Sequence, residues 1–244
     1  DAAYESLPKA TRADLHERFA RWLERKGADR TPEYEEIVGY HLEQAYRYRT
    51  EFGGHDDENR SVAREAATRL GSAGRRAFVR KDATAAVNLI SRAAALLPAD
   101  DPSLVELVPN VRVVQGLSGD LNWADRMLTE AVAAAALKAD RRLEAHALVQ
   151  RALLRLFTGA DIAPDELFDV ADHALTVFEE LGDELGIARA WRLVAQGHYL
   201  ARQGGPSVAA SRRALEHARL ADDRLEQREI VEWLCVALML GPKP

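Results

Sequence analysis

Short polar turns return along this chain about every 40 residues, and this recurrence limits the fold more than any other feature. The segments PADDP (98–102), KAD (138–140), LGD (181–183) and LADD (220–223) are each followed by a fresh apolar pattern of helical period. A second series, RKD (80–82), LSGD (117–120), TGAD (158–161) and QGG (203–205), falls between the members of the first. Two interleaved series with one period predict a stack of antiparallel helix hairpins, each burying its apolar face on its neighbours. Asp82, Asp120, Asp140 and Asp183 stand where helices begin. A carboxylate there accepts hydrogen bonds from free backbone N–H groups and suits the helix dipole, so these residues read as caps and not as catalytic acids.

Composition supports an all-α chain. Apolar residues make up 47% and charged residues 30%, with alanine, leucine, arginine and glutamate dominant and β-branched residues sparse. No run of about 18 apolar residues exists, which argues against a membrane role. The most apolar segment, IVEWLCVALMLG, reads as a buried helix. The net charge is -6 and arginine and glutamate are interleaved, so the basic stripe of a direct nucleic-acid binder is missing. A single cysteine, Cys235, excludes an internal disulfide and reads as a small buried apolar residue. With no signal peptide the expected location is cytoplasmic. A start at Asp1 and an end at LGPKP suggest a piece of a longer protein.

Residues 10–26 put Leu15, Phe19, Trp22 and Leu23 on one helical face, with Thr11 available as a cap. Pro32 opens a second helix, in which Ile37, His41, Ala45, Tyr48 and Phe52 share a face until Gly53 and Gly54 stop it. The loop GGHDDENR is the expected boundary between an N-terminal helical piece, residues 1–53, and a repeat array, residues 58–244. The array should hold about four hairpins and a final helix, for about 11 helices in all.

No reaction centre emerges. The seven histidines, His16 and His41 among them, are scattered over separate helices and a loop without metal-ligand spacing. Phosphate-loop, dinucleotide and nucleophile-elbow motifs are missing, so neither cofactor nor enzymatic activity is expected of this chain. The four tryptophans, one per region, read as core or inter-repeat packing.

Small residues carry the finer signal. From Gly74, Ala86 follows at twelve residues, Ile90 four later, Ala93 three later and Pro98 eight after Ile90. This spacing resembles the tetratricopeptide repeat, with small residues at closest backbone approach and proline ending the second helix. A looser copy has Gly119 and Asp120 at the turn, then Ala124, Leu128 and Ala131, but Arg112 in place of the first glycine. A third hairpin loses the code. A fourth recovers Gly197, with Ala209 twelve beyond it. The resemblance implies a right-handed superhelix whose concave face is made by first helices. Positions one and five after the glycine, Arg75 and Val79 in the first repeat and His198 and Arg202 in the fourth, would look inward. Basic groups there would suit an acidic peptide or phosphorylated ligand, with solvated surface arginine as the plain alternative.

Four segments together, YESLPKATRADLHERFARWLE, EIVGYHLEQAYRYRTEFG, AGRRAFVRKDATAAVNLISRAAALLPADD and GDELGIARAWRLVA, resemble a larger arrangement. They are similar to the region behind the ATPase module of large actinobacterial-type regulators, fused to class III adenylate/guanylate cyclase or DNA-binding transcriptional regulator domains. The resemblance implies that residues 1–53 are the tail of a winged-helix-like arm and that the repeats form a sensor and docking platform. ATP would be bound by an upstream domain, and the partners would be a protein or peptide and the parent's own ATPase domain. A small-molecule inducer sensor and a free-standing tetratricopeptide adaptor are the alternatives.

Overall fold

A computed structural model of the chain describes residues 2–26, 31–51, 53, 57–80, 82–98, 101, 107, 121–157 and 162–239. These form eleven helices and, among the described residues, no strand. In chain order they are α1 (Ala2–Glu5), α2 (Lys9–Lys26), α3 (Thr31–Thr50), α4 (Asp57–Val79), α5 (Ala83–Ala95), α6 (Leu121–Lys138), α7 (Arg141–Phe157), α8 (Pro164–Leu181), α9 (Glu184–Leu200), α10 (Gly204–Leu220) and α11 (Arg224–Met239). The chain divides into two compact units, Asp1–Leu121 and Asn122–Pro244. The connection at 53–58 lies inside the first unit, where α3 and α4 pack against each other.

In the first unit α2 packs on α3, α3 on α4 and α4 on α5. Alanines such as Ala20, Ala45, Ala66 and Ala77 sit at the contacts, fully or almost fully buried, and leucines such as Leu42 and Leu70 fill the spaces between them. Gly74 shows why the small residues are needed. A Cβ there would stand 2.7 Å from Ile90 Cγ1 and 3.4 Å from the Ala86 carbonyl oxygen, so α4 and α5 meet with no room for a methyl.

In the second unit α7 through α11 pack each on the next, and α7 also touches α9, as α9 touches α11. Those next-but-one contacts are the mark of a hairpin stack. An apolar cluster joins Val149 and Leu153 of α7, Leu167 and Phe178 of α8, and Ile187 and Leu193 of α9.

One turn serves both units. The residue after the turn's left-handed position donates its N–H five residues back, as in Asp140 to Ala135, Asp183 to Phe178, Gln203 to His198 and Asp223 to Ala218. The same bond runs from Asp82 to Ala77. The left-handed residue is Ala139, Gly182, Arg202 or Asp222, at φ values of 54°, 65°, 59° and 51°. Except at Gln203, the side chain of the next residue then caps the following helix. Asp82, Asp140, Asp183 and Asp223 each accept from the backbone N–H three residues on, at 2.9–3.1 Å.

Several expectations are corrected. Helix α2 starts at Lys9, with Arg12 N–H already donating to Pro8, so Thr11 lies within the helix and caps nothing. Ala209 is exposed and its neighbour Ala210 is buried, one position off the expected register. Helix α11 is not a buried helix: Ile230 and Ala237 face the core, but Val231, Val236, Leu238 and Cys235 are exposed, because no described helix covers its second face.

Two substitutions test this packing by urea unfolding. Gly74→Ala should cost about 1–2 kcal/mol, since overpacking outweighs the gain in helix propensity. Ile90→Ala alone should cost about 2–4 kcal/mol, and the double variant less than the sum, because the new methyl enters the vacated space. Additive losses would contradict the contact. Ala139→Gly should raise stability by roughly 0.5–1 kcal/mol by relieving its left-handed backbone.

Candidate functional site

The residues expected to face inward are spread out. Arg75 is half-buried on α4; Val79 lies at the end of α4 with its side chain outside the described ones. His198, in the last turn of α9, donates from Nδ1 to Gln203 Oε1 at 2.7 Å and lies against the Phe168 ring. Arg202 is exposed in the turn beyond α9. Of the small-residue positions, Ala86, Ile90, Ala93, Leu128 and Ala131 are buried and Pro98 is exposed. Gly119 and Asp120 lie outside the described residues, as does the side chain of Ala124. Gly197 makes its close approach to Phe168 of α8, where a Cβ would come within 2.7 Å of the ring.

An apolar face stands out in the first unit. Helix α2 turns Ala13, Ala20 and Leu23 inward and leaves Leu15, Phe19 and Trp22 42%, 42% and 46% exposed. Helix α3 adds Ile37 and Tyr40, 45% and 43% exposed. Trp22 is thus surface and not core. Phe19 stacks on Trp22, with ring centres 5.6 Å apart, and meets the His41 ring edge-on at 4.6 Å. Beside them runs a groove of about 810 Å³ whose lining includes Tyr4, His16, Phe19, Trp22 and His41. Contiguous exposed apolar surface of this kind marks an interaction site.

Two histidines set 25 residues apart meet in this groove. Tyr4 Oη donates to Tyr48 Oη at 3.3 Å, which leaves its oxygen to accept from His16 Nε2–H at 2.7 Å. The bare His16 Nδ1 then accepts from His41 Nδ1–H, also at 2.7 Å. This assignment follows from the direction of the chain of bonds. Burial and the bond to Tyr48 push the Tyr4 phenol up to about 12, so it stays a donor. Burial lowers both imidazoles, and His16 further opposes charge on His41. One added proton still leaves a donor and an acceptor; a second removes the acceptor and sets two cations side by side.

Charges on α2 are sorted by side. Glu17 is held by Arg49 and by Arg21 at 3.5 Å, and Glu24 by Arg21 and Arg69 at 3.2 and 2.9 Å. Arg21 also grips Glu65 at 2.7 Å. On the outer flank Arg18 meets Asp14 at only 3.8 Å, and Arg25 and Lys26 meet no carboxylate among the described residues.

The second unit carries a buried ionic seam that the sequence does not announce. Arg189 and Arg192 of α9 are each 1% exposed. Arg192 Nε donates to Glu226 at 2.5 Å, its Nη1 lies 3.2 Å from Glu229, and Arg189 Nε lies 3.7 Å from Glu226. Arg189 Nη1 donates to His146 Nδ1 at 3.1 Å, and His146 Nε2–H donates to Asp183 at 2.9 Å. The bonding fixes the neutral tautomer of His146, whose ring lies against Phe178. Arginine pairs on a helix ordinarily read as solvated, which is why these were missed. Among the described residues no cluster of three or more His, Cys, Asp or Glu assembles around a metal position. No described helix is long and apolar enough to cross a membrane.

The seam generates a pH dependence with a defined sign. Burial, against the pull of Asp183, pushes His146 down from 6.5 to about 4. Between those values the unfolded chain binds the proton and the folded chain does not. Stability is therefore complete above about pH 6.5 and falls as the pH drops, by about 2 kcal/mol at pH 5 from this group. His16 and His41, also lowered, act with the same sign. Asp183 is held well below the usual carboxylate range by His146 and the Gly186 N–H despite its burial, so its contribution is lost only below about pH 4. Urea unfolding at pH 7.5 and 5 should show a smaller loss for His146→Gln than for the wild type; equal losses would refute the assignment.

No family model and no curated protein matches the chain. It is similar to two crystal structures of a Podosopora anserina chain, assigned as a kinesin light chain with nearly identical TPR-like repeats. The identities are 12% and 14%, over 88% of this chain and 99% and 98% of that one, with TM-scores of 0.47 and 0.43. It is also similar to yeast Tom70, at 11% identity over 93% of this chain and 59% of that one, with a TM-score of 0.30. Similarities of this order carry no functional information.

Proposed function

We propose that this chain is a regulatory protein-interaction module of a multidomain ATPase-type signalling or transcriptional regulator. The observation that carries the interaction role is the half-exposed face of Leu15, Phe19, Trp22, Ile37 and Tyr40. A face of this kind gains free energy only when a partner covers it, at about 25 cal/mol for each Å² of apolar area removed from water. The regulatory context rests on the resemblance of the quoted segments. On that reading residues 1–53 are the tail of a winged-helix-like arm, residues 58–244 are the repeat array, and the ATP site lies upstream. Partner binding acts by favouring one packing of the module against the ATPase over another.

A small-molecule inducer sensor is the second reading, favoured by the aromatic groove of about 810 Å³, a size that ligand sites share. Against it stand Asp14, Glu17, Arg18, Arg21 and Arg25, which line the same groove and give it a charged border.

The test begins with the coding sequence on either side of this segment, which should encode a phosphate-loop domain upstream. In the intact protein, Trp22→Ala should then change nucleotide turnover about threefold or more while nucleotide affinity stays constant. A reading frame without an ATPase domain would overturn the regulatory context, and unchanged turnover would separate this face from regulation.

A further inference from the structure

We propose that the α2–α3 face of the first unit binds an amphipathic helix bearing carboxylates along one flank. The inference deepens the interaction role above and rests on it.

The shape of the site comes first. Leu15, Phe19 and Trp22 recur at i, i+4 and i+7, which aligns them as one ridge along α2, and Tyr40 with Ile37 supplies a second ridge on α3. The groove along the α2 ridge, lined by Leu15, Phe19 and Trp22 and closed by Tyr4, His16 and His41, can accept the side chains of one further helix. Helix-in-groove recognition uses the same apolar spacing on the incoming partner.

The charge of the site then selects the partner. Arg18 and Arg25, seven residues apart, share the flank beside the apolar ridge, and Lys26 lies at its end. Glu24 points away from the groove and Glu17 lines it, but both are committed to internal arginines, Arg21, Arg49 and Arg69. Only Asp14 remains to balance the outer flank, and its contact with Arg18 is loose at 3.8 Å. The surplus is positive, so glutamates or aspartates on the incoming helix would meet cations that lack a close internal partner among the described residues. A second copy of the chain fits this flank poorly, because an antiparallel pairing of α2 with itself about the centre of the ridge would set Arg18 beside its own counterpart.

The experiment uses two synthetic helical peptides of about four turns, with identical leucine and phenylalanine faces and either glutamate or lysine flanks. Fluorescence anisotropy with the whole chain should show the glutamate peptide binding at least about tenfold more tightly than the lysine peptide. Phe19→Ala and Trp22→Ala should each weaken it about tenfold, and Arg25→Glu should reduce the preference to about threefold or less. All three side chains are exposed, and circular dichroism should confirm unchanged helicity. Equal binding of the two peptides, no binding of either, or a preference that survives Arg25→Glu would overturn the proposal. So would self-association abolished by Trp22→Ala in analytical ultracentrifugation, or chain that sediments with anionic phospholipid vesicles but ignores both peptides. If the peptide preference fails while Trp22→Ala still alters turnover in the intact protein, the partner chemistry falls and the regulatory role stands. The opposite pattern removes the regulatory role alone.

Discussion

The second unit is organised by Asp183. One carboxylate oxygen receives the Gly186 N–H and starts α9; the other receives His146 and Arg142 and ties that start to α7. A cap is ordinarily worth about 1 kcal/mol and acts only on its own helix. Here the same group also fixes the position of the next hairpin on the preceding one. The device recurs one repeat later: Asp223 caps α11 by accepting from Glu226 N–H, and the Glu226 side chain returns to Arg192 on α9. Turn, cap and inter-repeat bond are thus a single linked element, used twice.

This linkage explains how α9 can be buried along most of its length. It contributes Gly186, Ala188, Ala190, Ala195 and Gly197, whose small size lets neighbouring helices approach from several sides. Two guanidiniums in such a helix would be prohibitive if unpaired, since removing one partner of a buried ion pair costs about 3–5 kcal/mol. Glu226 and Glu229 balance Arg192, while Arg189 is shared between Glu226 and the neutral His146. A neutral His146 can accept from Arg189 and donate to Asp183 at once, which an imidazolium cannot do. The polarity of the seam therefore depends on where that one proton sits.

Much of this architecture was legible because turns speak locally. Asp140 and Asp183 announce helix starts through chemistry that needs only three following residues, and the Gly74 to Ile90 spacing reports a contact within one hairpin. The left-handed turn position was harder to see, since Ala139, Arg202 and Asp222 occupy it as well as Gly182. There the closing backbone bond overrides residue preference. Features that depend on non-local pairing escaped altogether. His16 and His41 follow no helical spacing, yet antiparallel α2 and α3 bring their Nδ1 atoms together. Arg189 and Arg192 carry the pattern of a solvated face and become interior only because α11 supplies carboxylates more than 30 residues later. Trp22 and Cys235 failed differently: residue type favours burial, but burial needs a neighbour to cover the face.

The first unit inverts the usual arrangement of an amphipathic helix. In a helix that only closes a core, bulky side chains point inward, where each buried one stabilises by about 1.5–3 kcal/mol. Helix α2 instead buries Ala13 and Ala20 with a single leucine, Leu23, and turns Leu15, Phe19 and Trp22 outward. Alanines let α2 lie close on its neighbours, so the unit is complete without the aromatic rings. Glu17 and Glu24 are likewise spent on internal arginines, and on the open flank Arg18, Arg25 and Lys26 outnumber Asp14. The unit satisfies its own core and most of its ion pairs with one side of α2 and leaves on the other an apolar ridge flanked by a surplus of positive charge. That division of the helix is the physical basis for assigning its outer face to a partner.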